Sequence, residues 1–198
     1  MTLAQERTAQ RRQKLISVLS RRQPDLVVVL ENVHDPHNVS AVLRTCDAVG
    51  VLEVHLVYTV EPFPEISHRT SASAYKWLLL RRHRDIPSCY AALRAGGCRI
   101  WATALTPEAH NVYLLDLTQP IAIVFGNEHR GVSPEARQLA DGACFIPQVG
   151  MVQSLNISVA CAVILYEAFR QRWQAGLYER PRLQPERFEQ LLWEWLQR

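Results

Sequence analysis

Three short segments of this 198-residue chain combine residue types that chemistry uses. The first runs from Glu31 to Asn38 (ENVHDPHN), and Arg44 follows six residues after Asn38 inside a helical pattern. An arginine fork pairs bidentately with phosphate or carboxylate, so Arg44 is either such a grip or a surface ion-pair partner. Asn38 is either a helix cap or an amide aimed at a ligand. The second segment is Phe125-Gly-Asn-Glu-His-Arg-Gly131, directly after an apolar run. Gly126 and Gly131 permit tight turns and a close backbone approach to a ligand, and Glu128 sets a carboxylate between them. An ordinary turn leading to a cap at Ser133 is the alternative. The third, Ile146 to Asn156 (IPQVGMVQSLN), delivers Ser154 and Asn156 to the start of an apolar helix. There they act as caps, or they need partners or a ligand.

The elements that position these segments alternate along the chain. Leu26-Val-Val-Val-Leu30 is a continuous apolar, mostly β-branched run, the pattern of a strand buried on both faces. Further strands are expected at 52–57, 77–80, 99–105, 121–125 and 144–146. Helices are expected at 3–20, from about 39 to a stop at Gly50, and at 86–95, 133–140, 154–172 and 185–196, with Asn38 or Ser40 capping the second. Residues 58–76 read as a loop. Strand and helix in alternation predict an α/β fold with a parallel sheet flanked by helices. Ligands of such sheets bind at the carboxyl ends of strands, where all three segments fall. Neither GxGxxG nor GxxxxGK[ST] occurs, which argues against a classical dinucleotide site and a P-loop. The domain reading is a basic helical extension at 1–23, a central domain at 24–172 and a helical extension at 173–198.

The net charge of +3 is an uneven sum. Residues 1–30 carry six basic and two acidic side chains, 31–67 one against six, and 68–99 seven against one. Of the 22 basic residues only Lys14 and Lys76 are lysines. Arg-rich blocks on a small domain fit a polyanion partner, nucleic acid first, against a solvated surface as the plain alternative. The five cysteines include no CxxC pair and the seven histidines no metal-like spacing, so reduced thiols and no metal are expected. No apolar run approaches the ~20 residues of a membrane span, and the polar, basic start lacks a secretion signal. The expected compartment is the cytoplasm.

Taken in order, Asn38…Arg44, Gly126-Asn-Glu-His-Arg-Gly131 and Ile146-Pro…Gly150…Ser154-Leu-Asn156-Ile-Ser158-Val-Ala160 closely resemble the three motifs of the SPOUT superfamily of methyltransferases, in its TrmH/SpoU branch. The likeness spans about residues 20–175. Arg21 to Asp25, Val33 to Ala41 and Gly150 to Asn156 look closest to members that methylate the ribose 2′-hydroxyl of guanosine 18 in the transfer RNA D-loop. Ser40 and Gln148 depart from the pattern, standing where many relatives carry Gly and Met.

The resemblance implies a deep trefoil knot in the C-terminal part, with S-adenosylmethionine bent inside it against Thr103, Gly126, Ile146 and Leu155. It implies a homodimer with active sites at the subunit interface, to which the helix from Ser154 contributes, and a reaction that needs no metal. Arg44 then activates and positions the ribose, as proton acceptor or as electrostatic stabiliser. Asn38 and Glu128 orient Arg44 and the loop, while Ser154 and Asn156 line the pocket. Arg7, Arg11, Arg12, Arg21, Arg22, Arg170, Arg172 and Arg180 are the expected grips on RNA. A 2′-O-methyltransferase of ribosomal RNA or of another transfer RNA position is the rival within enzymes. A relative that binds RNA without catalysis is the rival outside them.

Overall fold

The computed structural model describes residues 3–64 and 74–198, with side chains from Thr8 onward in that range. Seven strands form one parallel sheet: β1 (Leu26–Glu31), β2 (Glu53–Val57), β3 (Leu79–His83), β4 (Arg99–Thr103), β5 (His110–Asn111), β6 (Ile121–Phe125) and β7 (Gly142–Phe145). Their order across the sheet is β3-β2-β1-β6-β4-β7-β5. The helices are α1 (Leu3–Leu19), α2 (Pro36–Val49), α3 (Ile86–Ala95), α4 (Pro134–Leu139), α5 (Ile157–Gln174) and α6 (Pro185–Leu196).

β1 and β6 lie at the centre, and every residue of both is buried. That is why they read as unbroken apolar runs rather than alternations. Alternate side chains nonetheless divide between two layers. Leu26, Val28 and Leu30, in register with Ile121, Ile123 and Phe125, pack with Val39, Val42 and Leu43 of α2 and Cys161, Ile164 and Leu165 of α5. Val27 and Val29 face the other way with Ile100, Ala102 and Val124, under Ile86, Cys89, Tyr90 and Leu93 of α3 and Ala136 of α4. A third cluster joins Leu15 and Leu19 of α1 to Leu191, Leu192 and Trp195 of α6, with Leu52 beside them.

Several boundaries differ from the sequence reading. Asp35, not Asn38 or Ser40, caps α2: its carboxylate accepts the His37 N–H at 2.8 Å, and Pro36 takes the first helical position. The expected stop holds, with Gly50 at φ 86°. α5 starts at Ile157 rather than Ser154, because the Asn156 side chain accepts the Ser158 N–H at 2.9 Å and ends the loop there. A 3₁₀ turn at Ala74–Trp77 displaces the expected 77–80 strand to Leu79–His83. The 99–105 strand ends at Thr103, and the two-residue β5 has no counterpart in the sequence pattern. Part of the expected 58–76 loop lies outside the described residues. Among the described residues no helix is long and apolar enough to cross a membrane.

Chain order runs outward from β1 to β3 on one side of the sheet, then crosses to β4 and β5 on the other, and β6 later inserts between β1 and β4. The loops after β4, β6 and β7 leave the same edge of the sheet, where a ligand cleft forms in doubly wound folds.

Candidate active site

A cleft of about 470 Å³ opens there, within the size range of small-molecule sites. Thr103, Gly126, Ile146 and Leu155 all line it, and so do Glu128, Ser154 and Asn156. The chain thus brings together from its second and third segments the residues that the sequence singled out.

The loop after β6 is closed by two backbone bonds, Asn127 N to Gly131 O at 3.1 Å and Gly131 N to Asn127 O at 2.8 Å. A Cβ on Gly126 would sit 2.1 Å from the Gly131 carbonyl carbon, so no larger residue fits this closed loop. Gly131 itself has φ 68°, the left-handed region that glycine enters freely. Asn127 holds the loop from inside: its amide donates to Asn32 O at 2.8 Å and its carbonyl oxygen accepts the His129 N–H at 2.9 Å.

This closed loop fixes Glu128. One carboxylate oxygen accepts the His34 N–H at 2.8 Å, and the other accepts the Asp35 N–H at 3.1 Å and the Asn38 amide at 2.9 Å. These donors surround the N-terminus of α2, the end that favours negative charge. Burial pushes the Glu128 carboxyl up, but the bonds from Asn38 and the backbone outweigh it, and the net direction is down. An ionised carboxylate only accepts, which sets the orientation of the Asn38 amide. Its oxygen then accepts from Asn156 Nδ2 at 3.1 Å. The three segments therefore join in one hydrogen-bonded chain, Glu128 to Asn38 to Asn156.

Arg44 stands apart from that chain. It is exposed on α2 and has no ion-pair or hydrogen-bond partner among the described residues. Six residues on from Asn38, it lies about 9 Å further along the helix and about 120° around it. It does not line the cleft of its own chain.

Two expected RNA grips are corrected. Arg22 is 1% exposed and Arg172 is 0% exposed. Arg22 pairs with Asp47, donates to Val51 O at 2.9 Å and lies over the Trp195 ring. Arg172 donates to Asp25 at 2.7 Å, to Leu117 O at 2.8 Å and to Gln119 O at 2.9 Å, tying α5 to the start of β1. Both hold the interior together, because an unpaired buried charge is far costlier than a satisfied one. Arg11, Arg12, Arg21 and Arg180 are exposed. Arg170 is exposed but paired with Glu167 at 2.7 Å. The side chain of Arg7 lies outside the described residues.

Sequence reasoning missed two features. Gln148 lines the cleft, and its Oε1 is buried with no partner among the described residues. Asn32, at φ 49°, accepts the N–H groups of Thr59, Val60 and Glu61 and so sets Glu61 beside the Glu128 loop. Glu61 in turn bonds His34 at 2.9 Å and Arg130 at 2.5 Å. The His34 bond, then the Arg130 bond, draws the Glu61 carboxyl down, and the same contact raises His34. The one signal for this was an Asn directly after a buried strand, a residue type that tolerates left-handed backbone.

The sequence profile described as the SpoU rRNA methylase family matches residues 25–166, and that of its C-terminal segment matches 170–197. The chain belongs to the SpoU rRNA methylase family. Among SpoU methylases it is similar to the tRNA (guanosine(18)-2′-O)-methyltransferase of Thermus thermophilus, 54% identical over 98% of this chain and 99% of that one. The enzyme of the same name from Escherichia coli is 48% identical over 84% of this chain and 72% of that one. The SpoU fold is shared in detail with the crystal structure of the TrmH/SpoU tRNA modifying enzyme of A. aeolicus. Its TM-score is 0.90 and its identity 39%, over 96% of each chain. The SpoU methyltransferase AviRb of Streptomyces viridochromogenes, solved in complex with the cofactor AdoMet, superposes with a TM-score of 0.68. It is 28% identical over 78% of this chain and 62% of its own.

Proposed function

We propose that this chain transfers a methyl group from S-adenosylmethionine to the ribose 2′-hydroxyl of guanosine 18 in the D-loop of transfer RNA. The observation that carries the chemistry is the bonded chain from Glu128 through Asn38 to Asn156, closing a cleft at the ends of parallel strands. The choice of transfer RNA over ribosomal RNA rests on end-to-end likeness to the Thermus thermophilus enzyme.

The cleft suits the cofactor on its own terms. Gly126 leaves backbone rather than side chain against a ligand, and Ile146 and Leu155 offer apolar contact. When bound, the cofactor supplies a methyl group on a sulfonium, open to direct displacement by an oxygen in line and about 3 Å away. The protein's part is to place that oxygen and to manage its proton. Arg44 grips the neighbouring phosphate bidentately and stabilises the developing alkoxide. A guanidinium with pKa above ~12 is a scarce proton acceptor at neutral pH, which favours this role over that of base. Glu128 and Asn38 hold the first turn of α2, and hence the helix that carries Arg44. Ser154 and Asn156 line the cleft beside the ribose.

Because Arg44 does not line its own cleft, a homodimer with the active site at the subunit interface would supply it from the partner. Val159, Tyr166 and Trp173 support this, spaced seven residues apart on α5 at 48%, 54% and 58% exposure. An uncovered apolar stripe of this kind marks an association surface. A trefoil knot fits the path in which β6 inserts between β1 and β4, and β7 then returns on the far side of β4. The exposed Arg11, Arg12, Arg21 and Arg180, with Arg7 and Arg170, are proposed to hold RNA phosphates. The division into 1–23, 24–172 and 173–198 and a cytoplasmic location complete the reading, and the methyl transfer itself needs no metal.

The test is methyl transfer from labelled cofactor to an unmodified transfer RNA transcript, beside one carrying 2′-deoxyguanosine at position 18. Label on the first alone is expected. RNA binding without label transfer would identify a binding module instead.

A further inference from the structure

A polar cluster away from the cleft has no part in methyl transfer. The Nδ1 of His55 on β2 lies 2.9 Å from the Nε2 of His83 on β3 and 3.7 Å from the Sγ of Cys89 on α3. The ligand-type atoms of the three residues all fall within 4.8 Å of one another. None of the three lines the cleft.

Strand register brings them together. His55 pairs with Arg81 and Val57 with His83, so the two histidines are diagonal neighbours on one face of the sheet. α3 covers that face and presents Cys89 one turn after its Asp85 cap. His55 and Cys89 are buried, and His83 is half-buried on the edge strand. On the far side of the His55 ring, Nε2 faces the Glu53 carboxylate at 3.5 Å. Arg81 bonds the same carboxylate at 3.2 Å. Burial pushes Glu53 up, but His55 and Arg81 outweigh it and draw it down. An ionised Glu53 keeps the ring proton on Nε2 and turns the Nδ1 lone pair inward, towards His83 and Cys89. A carboxylate behind a histidine, fixing its tautomer, is the arrangement that supports metal-ligating imidazoles.

We propose that His55, His83 and Cys89 are three ligands of a site for a borderline-soft divalent cation of the Zn²⁺ type, its fourth position open beside His83. Two imidazoles and a thiolate are the donor set that such a cation takes. Metal–nitrogen and metal–sulfur bonds of about 2.0 and 2.3 Å place tetrahedral ligand atoms about 3.3–3.7 Å apart, so the two contacts of His55 need shifts of only a few tenths of an ångström and the His83–Cys89 pair must close by about 1 Å. Burial pushes the Cys89 thiol up to about 12, so the metal-free thiol is neutral. Binding forms the metal–sulfur bond as the thiol proton leaves to solvent, while His83 moves its ring proton from Nε2 to Nδ1. Affinity therefore rises with pH. The cation ties the edge strand β3 to α3, in a place where the sequence offered no metal spacing because the ligands stand 28 and 34 residues from His55.

The experiment titrates metal-free, full-length protein with Co²⁺, whose thiolate charge-transfer band reports sulfur ligation, and then with Zn²⁺ as competitor. One equivalent is expected to raise the band and Zn²⁺ to abolish it. Cys89→Ser is expected to remove the band. His83→Ala, at a half-buried position on the edge strand, is expected to weaken binding at least about 100-fold. Methyl transfer is expected in both variants. Absence of the band in the wild-type protein, or a band undiminished by either substitution, would overturn the proposal.

Discussion

Glu128 and Arg44 do opposite things with their charge. Glu128 spends its charge within the protein, on two backbone N–H groups and the Asn38 amide. Arg44 keeps its charge unspent. Glu128→Gln replaces an oxygen facing N–H donors with an NH₂ that cannot accept. With charged hydrogen bonds contributing about 1.5–3 kcal/mol, turnover at saturating cofactor is expected to fall about 10- to 100-fold. Because its pKa is lowered, the Glu128 carboxyl contributes stability above its unfolded value and loses it only as pH falls through the lower folded one. A carboxyl-labelled NMR titration should therefore place its midpoint below the ordinary glutamate range. Arg44→Ala touches no internal partner, so it should leave Tm and cofactor affinity unchanged. It should lower turnover about 100- to 1,000-fold, as loss of a transition-state donor does. Near-normal turnover in a folded Arg44→Ala protein would remove Arg44 from the mechanism. Much of the cleft lining was legible in the sequence as Thr103, Gly126, Glu128, Ile146, Ser154, Leu155 and Asn156, but the partners of these residues were not. Asn38 was open to reading as a cap, yet Asp35 and Pro36 take the helix start and free the Asn38 amide for Glu128 and Asn156.

The elements divide into those that periodicity announced and those that packing decided. The central strands follow directly from apolar runs and α3 falls at the expected 86–95, while its Asp85 cap emerges only in the structure. β5 has two residues and exists through its pairing with β7, which no local pattern encodes. Charge sign likewise says nothing about burial. Arg22 and Arg172 belong to Arg-rich stretches yet sit inside, because Asp47 and Asp25 and several carbonyls converge on them. Arg172→Ala is therefore expected to destabilise the fold by about 3–5 kcal/mol, read by denaturant unfolding. The loop after β6 makes its own prediction. Gly126→Ala puts a methyl group against Gly131 backbone that cannot move aside while the loop stays closed. The expected result is a destabilisation of about 1–3 kcal/mol together with at least a 10-fold loss of cofactor affinity by calorimetry. Unchanged cofactor affinity would show that the loop does not frame the cofactor.

Over the whole molecule, the modest net charge of +3 hides a separation between the acidic 31–67 stretch, which holds the α2 end of the site, and exposed arginines on the terminal segments. If those arginines neutralise RNA phosphates, affinity falls linearly on a logarithmic salt scale. Arg11→Ala and Arg12→Ala should each reduce that slope by about 1 with no change in stability. Arg172→Ala should leave the slope alone. Full-length likeness to an enzyme that methylates guanosine 18, and a cleft lined by the second and third motif segments and bonded to the first through Asn38, meet in one claim: a single ribose, at one position, is the target. The most direct test is nuclease digestion and mass spectrometry of an unmodified transfer RNA transcript after incubation with the protein and S-adenosylmethionine. One added methyl group is expected, on the ribose of guanosine 18, and at least about 100-fold less of it in the same time after Arg44→Ala. A methyl group on a base, on another nucleotide, or on ribosomal RNA in preference to transfer RNA would contradict the claim.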